Sequence, residues 1–255
     1  MLSQTIFSVF MLTVTVFSHP SKLRDSLSSL NSELDKNEII QPLTIKFSGE
    51  KNLMVNQTVQ IGESFELRCE SAGTPQPVFY WTFNGKRIQG SSEMNIYEKL
   101  HNIGKVTIQN GVTISRLVVP CAKKEDAGKY RCVATNGHEK IEKSATITID
   151  DSKQSSTCEE SETESPKIIQ WTDARFENEL NTVQLMCRTD SPATVAWYND
   201  ERELLNNKLN HEVLANGDLL IKNVKWENMG VYTCVASNEN GEDRVEVFFY
   251  PTAAE

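Results

Sequence analysis

One pattern is written twice along this chain, and it limits the folds open to it more than any other feature. In the first copy Cys69 is followed by Trp81 and then by Asp126-Ala127-Gly128-Lys129-Tyr130-Arg131-Cys132. In the second, Cys187 is followed by Trp197 and then by Asn228-Met229-Gly230-Val231-Tyr232-Thr233-Cys234. Around these landmarks apolar residues alternate. Phe65, Leu67 and Cys69 match Val183, Leu185 and Cys187; Leu117, Val119 and Ala122 match Leu219, Ile221 and Val224. A period of two is what a strand with one buried face requires. Asn84-Gly85, Asn110-Gly111, Asn136-Gly137, Asn216-Gly217 and Asn240-Gly241 fall between such runs. They predict tight hairpin turns, because both central residues of a type I′ turn need positive φ.

The repeated Cys…Trp…Tyr-x-Cys order resembles the I-set immunoglobulin family over roughly residues 45–250. The resemblance implies an all-β fold of two tandem immunoglobulin-like β-sandwiches, I-set or C2-type, joined by an acidic linker. It also implies the disulfides Cys69–Cys132 and Cys187–Cys234, which spacing alone does not select. In such a domain the Trp packs on the disulfide, and the Tyr hydroxyl bonds back to the corner before its strand. Asn228 stands where the family usually has Asp, which puts a charged corner in doubt in the second copy. The first copy is longer between its cysteines, with extra residues around Gly90 to Gly104.

Two cysteines then remain. Cys121 follows the Leu117–Val119 strand, and Cys158 lies a short way past the end of the first domain, at the same end of the sandwich. A Cys121–Cys158 bridge pinning the linker to the first domain is expected. The alternative is free or intermolecular thiols joining two copies.

The expected organisation is a signal peptide at 1–18, an arm at 19–42, a first immunoglobulin-like domain at 43–150, a linker at 151–165 and a second domain at 166–251. Ile6 to Phe17 is an apolar run too short to span a bilayer, and Val16 and Ser18 suit a cut before His19. No apolar segment follows Tyr250, so the expectation is a secreted, extracellular protein without a membrane anchor. In the arm, Leu23, Leu27, Leu30 and Leu34 recur at helical spacing, open to a short helix or to flexible chain. The linker carries Glu159, Glu160, Glu162 and Glu164 among Ser and Thr, a composition that buries no core. Asn56-Gln57-Thr58 is a glycosylation sequon at Asn56.

The net charge of -9 argues against a nucleic-acid partner, because phosphate binding needs clustered Lys and Arg. His19, His101, His138 and His211 stand in turns and polar stretches with no nucleophile in a catalytic setting. No metal-binding or phosphate-cradling motif occurs. The expectation is therefore no enzyme, no cofactor and no metal site.

Alternation assigns the outward residues. With Trp197, Cys234, Val247 and Phe249 inward, Tyr198, Val235, Phe248 and Tyr250 face out together on the second domain. The matching face of the first domain, Tyr80, Thr82, Arg131, Val133, Ser144, Thr146 and Thr148, is more polar. An outward aromatic cluster marks an interaction surface, unless another part of the molecule or a second copy in a homodimer covers it.

The second copy also carries Val213-Leu214-Ala215-Asn216-Gly217-Asp218-Leu219-Leu220-Ile221, Lys225-Trp226-Glu227-Asn228-Met229-Gly230 and Phe249-Tyr250-Pro251, and it opens with Pro166-Lys167-Ile168-Ile169. These segments resemble the secreted insulin-binding immunoglobulin protein of insects, and the whole plan is similar to the nematode zwei-Ig family. The resemblance implies one of two roles. One is maintenance of axon and neuron position through a cell-surface receptor or adhesion molecule. The other is sequestration of insulin-like peptides.

Overall fold

The structure, a computed structural model, describes residues 38–39, 41–49, 54–152, 164–206 and 208–253. The signal segment, nearly all of the arm, the acidic run from Glu159 to Glu162 and Cys158 lie outside the described residues.

In the first domain the strands are β1 (Glu38–Ile39), β2 (Thr44–Phe47), β3 (Gln57–Gln60), β4 (Phe65–Thr74), β5 (Val78–Phe83), β6 (Lys86–Gly90), β7 (Val106–Thr107), β8 (Asn110–Val119), β9 (Gly128–Thr135) and β10 (Lys140–Asp150). A short helix, α1 (Ile96–His101), precedes β7 and fills the extra length noted in the first copy. The second domain has β11 (Ile168–Asn178), β12 (Val183–Leu185), β13 (Cys187–Thr189), β14 (Thr194–Tyr198), β15 (His211–Val213), β16 (Leu219–Ile221), β17 (Gly230–Asn238) and β18 (Gly241–Thr252). Glu38 and Ile39, which the sequence assigns to the arm, pair in parallel with Val106 and Thr107.

The landmark residues do what the family resemblance implies. Cys69–Cys132 and Cys187–Cys234 are bonded, with Cα atoms 6.6 and 6.5 Å apart. Trp81 and Trp197 are fully buried beside them, and each indole N–H finds an acceptor, Ser115 Oγ and Gly217 O, both at 2.9 Å. Tyr130 donates to Asp126 O at 2.9 Å, and Tyr232 donates to Asn228 O at 2.8 Å. Burial pushes the Tyr130 hydroxyl up to about 12 and raises that of Tyr232 likewise. Asn228 Oδ1 accepts the Lys225 N–H, as Asp126 accepts the Lys123 N–H, so the uncharged residue closes the same corner. Cys121 is disulfide-bonded; its expected partner is not among the described residues.

The Asn-Gly pairs turn the chain by different means. Asn84 and Gly85 have φ of 46° and 86° and join β5 to β6 as the type I′ rule requires. At the turns after β9, β15 and β17 only the Gly has positive φ, and an Asn side chain caps backbone N–H groups instead. The turn expected at Asn110-Gly111 does not form. Both residues lie in β8, and the positive φ falls on Gln109. Gly111 serves close approach there: a Cβ would stand 2.9 Å from the Gln76 side chain and 3.0 Å from Ala174 O.

That misassigned segment is where the two domains fuse. β8 runs antiparallel to β11, from Phe176 opposite Asn110 to Gln170 opposite Ser115, with a bulge between Thr172 and Ala174. The result is one eight-stranded sheet ordered β14-β17-β18-β11-β8-β4-β2, with β13 also on β11. β3-β10-β9-β5-β6 complete the first sandwich, and β12-β16-β15 the second. The second domain's core includes Ile114 of the first, fully buried with Ile168 and Trp171. Arg68 and Arg116 of the first domain lie 5.2 and 5.6 Å from the Trp171 ring, and Arg116 also pairs with Asp243.

Ile114→Ala should therefore act on the second domain, although the residue belongs to the first. Loss of a fully buried Ile costs about 2–5 kcal/mol. The check is denaturant unfolding followed through the second-domain tryptophans, with their transition shifted at least as far as that of the first.

Candidate ligand-binding surface

Two opposite surfaces of the joint matter for function: a polar clamp buried on one side of the eight-stranded sheet, and a bare face on the other.

On the buried side α1 turns its polar residues inward. Asn95, Glu98 and Asn102 are buried, whereas Ile96, Tyr97 and Leu100 are exposed. Asn102 donates to Thr182 O at 2.7 Å and accepts from Thr182 N at 2.8 Å. Glu98 pairs with Arg175 of β11 and accepts the Gln184 N–H at 2.8 Å. Arg175 also reaches Glu177 at 3.1 Å, and all three ionisable side chains are buried. Glu177 accepts from Ile108 N, Gln109 N, Asn178 N and Asn181 Nδ2. Burial raises the Glu98 carboxyl above its ordinary value, against the pull of the Arg175 guanidinium. Further toward the first domain, Gln76 Nε2 bridges Thr113 and Thr172, and Gln170 Oε1 accepts the Phe79 N–H at 2.8 Å. Sequence reading missed this clamp because Arg175, Glu98 and Glu177 look like ordinary surface charges until β11 is paired with β8.

On the open side, strand register sets out the face. Val231, Phe248, Ala174, Val112, Ala72 and Lys46 stand opposite one another on six consecutive strands. At ordinary strand spacing this row is about 24 Å wide and crosses from the second domain to the first. Val231 and Phe248 are 36 % and 40 % exposed. Beside them Tyr250 is half-buried, its ring 6.1 Å from Phe176 and 5.6 Å from Trp226, itself 54 % exposed. The face thus has small residues along the joint and aromatic rings on its second-domain side.

The four residues expected to cluster divide into two pairs. Phe248 and Tyr250 belong to the apolar part just described. Tyr198 and Val235 line a shallow groove with Asn199, Arg202, Glu242 and Arg244. Tyr198 pairs with Thr233, which pairs with Glu246, so it stands two strands across and one residue pair along from Phe248. By strand geometry that is roughly 10 Å across and about 7 Å along. Phe176, Trp226, Ala174, Val112 and Ala72 join the face without having been expected there; the fusion of β11 with β8 aligns the strand residues, and Trp226, in the turn before β17, reaches it against the Tyr250 ring. On the first domain, Val133 was expected to face out but is buried beside Tyr80, over whose ring Arg87 lies at 4.2 Å.

The described histidines, His101, His138 and His211, form no cluster. His101 contacts its own helix through Tyr97 O, His138 lies in the turn after β9, and His211 is half-buried with its ring 6.4 Å from Tyr232. Among the described residues there is no group of three or more side chains able to hold a metal, and no helix long and apolar enough to cross a membrane.

Residues 55–145 match a family model described as immunoglobulin domain, and residues 165–238 match a second model so described. The Zwei Ig domain proteins zig-4 and zig-3 of Caenorhabditis elegans are 39% and 36% identical to this chain. Those alignments cover 95% and 93% of the chain and 94% of each relative. Neural/ectodermal development factor IMP-L2 of Drosophila melanogaster is 26% identical over 91% of the chain and 85% of that protein. The crystal structure of neural ectodermal development factor IMP-L2 aligns with a TM-score of 0.64 at 27% identity, covering 84% of this chain and 97% of that one.

Two outcomes test the geometry. Arg175→Met leaves two carboxylates buried without their cation and should cost about 3–5 kcal/mol in denaturant unfolding, with Glu98→Gln costing clearly less. His211 gives a pH signature. Burial holds its pKa below the ordinary 6.5, so below that value the unfolded chain takes up a proton that the folded chain refuses. Its contribution is complete above pH 6.5 and is lost as pH falls toward the depressed folded value. The urea midpoint should fall less between pH about 7.5 and 5.5 in His211→Phe than in the wild type.

Proposed function

Because the chain belongs to the two-immunoglobulin-domain family of the nematode Zwei Ig proteins, we propose that it is a secreted, non-catalytic binding protein that maintains axon and neuron position by engaging an extracellular protein, a cell-surface receptor or adhesion molecule. One observation carries the binding part of this reading: a wide, partly apolar sheet face, built by both domains, on which Phe248, Val231 and Trp226 are exposed. Apolar surface left open beside aromatic rings is what a protein partner buries at the centre of an interface. The neural role is supported by identity of 36% and above to nematode relatives along nearly the whole chain.

A second reading is a soluble binder of insulin-like peptides that antagonises insulin signalling. It is favoured by the alignment with the IMP-L2 crystal structure and by the resemblance of the second domain to the insect insulin-binding protein. A face spanning two domains that share one sheet suits a small folded hormone, since little ordering is needed on binding.

The test is binding of the mature protein to an array of extracellular neural receptors and to a panel of insulin-like peptides at micromolar concentration. Capture of a neural receptor supports the first reading; capture of a peptide with no receptor supports the second. In either case the Phe176→Ala, Phe248→Ala, Tyr250→Ala triple variant should bind on the order of thirtyfold more weakly, the factor of a hot spot of about 2 kcal/mol. Tyr198→Ala, in the polar groove, should cost less. Concentration-dependent sedimentation as a homodimer that the triple variant abolishes would mean instead that a second copy occupies the face.

A further inference from the structure

We propose that Asn56 carries an N-linked glycan whose first sugars lie along β3 and β10, masking the polar face of the first domain and leaving the eight-stranded sheet bare. Asn56 is exposed and immediately precedes β3. Its Oδ1 accepts the Thr146 N–H at 2.8 Å, replacing one rung of the ladder between β3 and β10. That bond fixes the side chain, and no described residue accepts from its Nδ2, the atom that carries a glycan.

The surroundings fit a sugar. Thr58 stands opposite Thr148 in the parallel pairing of β3 with β10, and all three threonines, Thr58, Thr146 and Thr148, are exposed. By alternation Asn56 shares their face. Asn56, Gln57, Thr58, Thr146 and Thr148 line one shallow groove, which presents hydroxyl and amide groups and no charge. A neutral, hydroxyl-rich floor of this kind hydrogen-bonds a saccharide without the desolvation cost that charged groups would add.

Timing and position both favour modification. The partner strand residue Thr146 lies 90 residues after Asn56, so the sequon emerges from synthesis long before β10 exists to engage it. β3 is the outermost strand of its sheet, and an outer strand presents unpaired backbone groups that native proteins blunt. A glycan on the residue just before it blocks that edge as well as the adjoining face. In the transfer step Asn56 Nδ2 loses one proton to the transferase's base and bonds to C1 of the first sugar. The bond between C1 and the donor's lipid pyrophosphate breaks, and the pyrophosphate leaves with the electron pair.

The proposal rests on passage through a eukaryotic secretory pathway, so the experiment separates the two. The chain is expressed in animal cells once with its own first residues and once behind a heterologous leader. The exported heterologous-leader protein should shift in mass on treatment with peptide N-glycosidase. That shift should persist in Thr58→Ser and vanish in Asn56→Gln and Thr58→Ala. Nuclear Overhauser contacts from the N-acetyl methyl of the first sugar to the Thr146 and Thr148 methyl groups should place the sugar on the groove. Exported protein without a glycan, or a glycan lacking those contacts, overturns the proposal. Export and glycosylation only behind the heterologous leader supports the site while overturning secretion by the native leader.

Discussion

A strand at the edge of a sandwich leaves alternate N–H and C=O groups without partners, and each must meet water, a side chain or another strand. In this chain β8 and β11 satisfy one another, and nearly everything distinctive follows from that pairing. It joins two sandwiches into one eight-stranded sheet. It draws Ile114 into the neighbouring core and brings Arg68 and Arg116 onto the Trp171 ring. Tandem domains that met only through a linker would have faces free to turn independently, whereas here rows of side chains cross the boundary at strand spacing.

The pairing also explains a costly feature, the burial of Arg175 between Glu98 and Glu177. Buried ion groups contribute little net stability compared with apolar residues of the same volume, because desolvation offsets their attraction. They are, however, strict about geometry. Glu177 collects N–H groups from Ile108 and Gln109 as well as from its own strand, and Glu98 collects Gln184 N. A slip of one residue between β8 and β11 would strand these carboxylates in a low-dielectric site. The cluster penalises every register but one, which specifies the orientation of the domains more than it strengthens their attachment.

The consequence for binding is a division of labour between the two sides of the sheet. The clamp, α1 and the smaller sheets lie on one side and fix the geometry. The other side carries Val231, Phe248, Tyr250 and Phe176 beside the small residues Ala174, Val112 and Ala72. A surface held flat by backbone pairing loses little conformational entropy when a partner covers it, so modest apolar area yields usable affinity. The polar outer face of the first domain, with Thr146 and Thr148 and the buried Val133, offers no comparable surface.

The repeat of Cys, Trp and Tyr carried the resemblance that implies two sandwiches and their disulfides, and alternation along each strand assigned the inward side chains. Those are local and periodic properties: alternation sets the facing of Phe248, and the corner hydroxyls of Tyr130 and Tyr232 bond only four residues away. What tertiary structure alone decided was how the two units meet. Asn110-Gly111 carries the sequence signal of a turn, yet it continues a strand because Arg175 and Phe176, more than sixty residues later, supply its ladder partners. Glu98 and Arg175, and Phe176 and Tyr250, likewise become neighbours only across such distances. A pairing between separate segments is chosen by the summed hydrogen bonds and packing of both partners, and no periodicity within either segment contains that information.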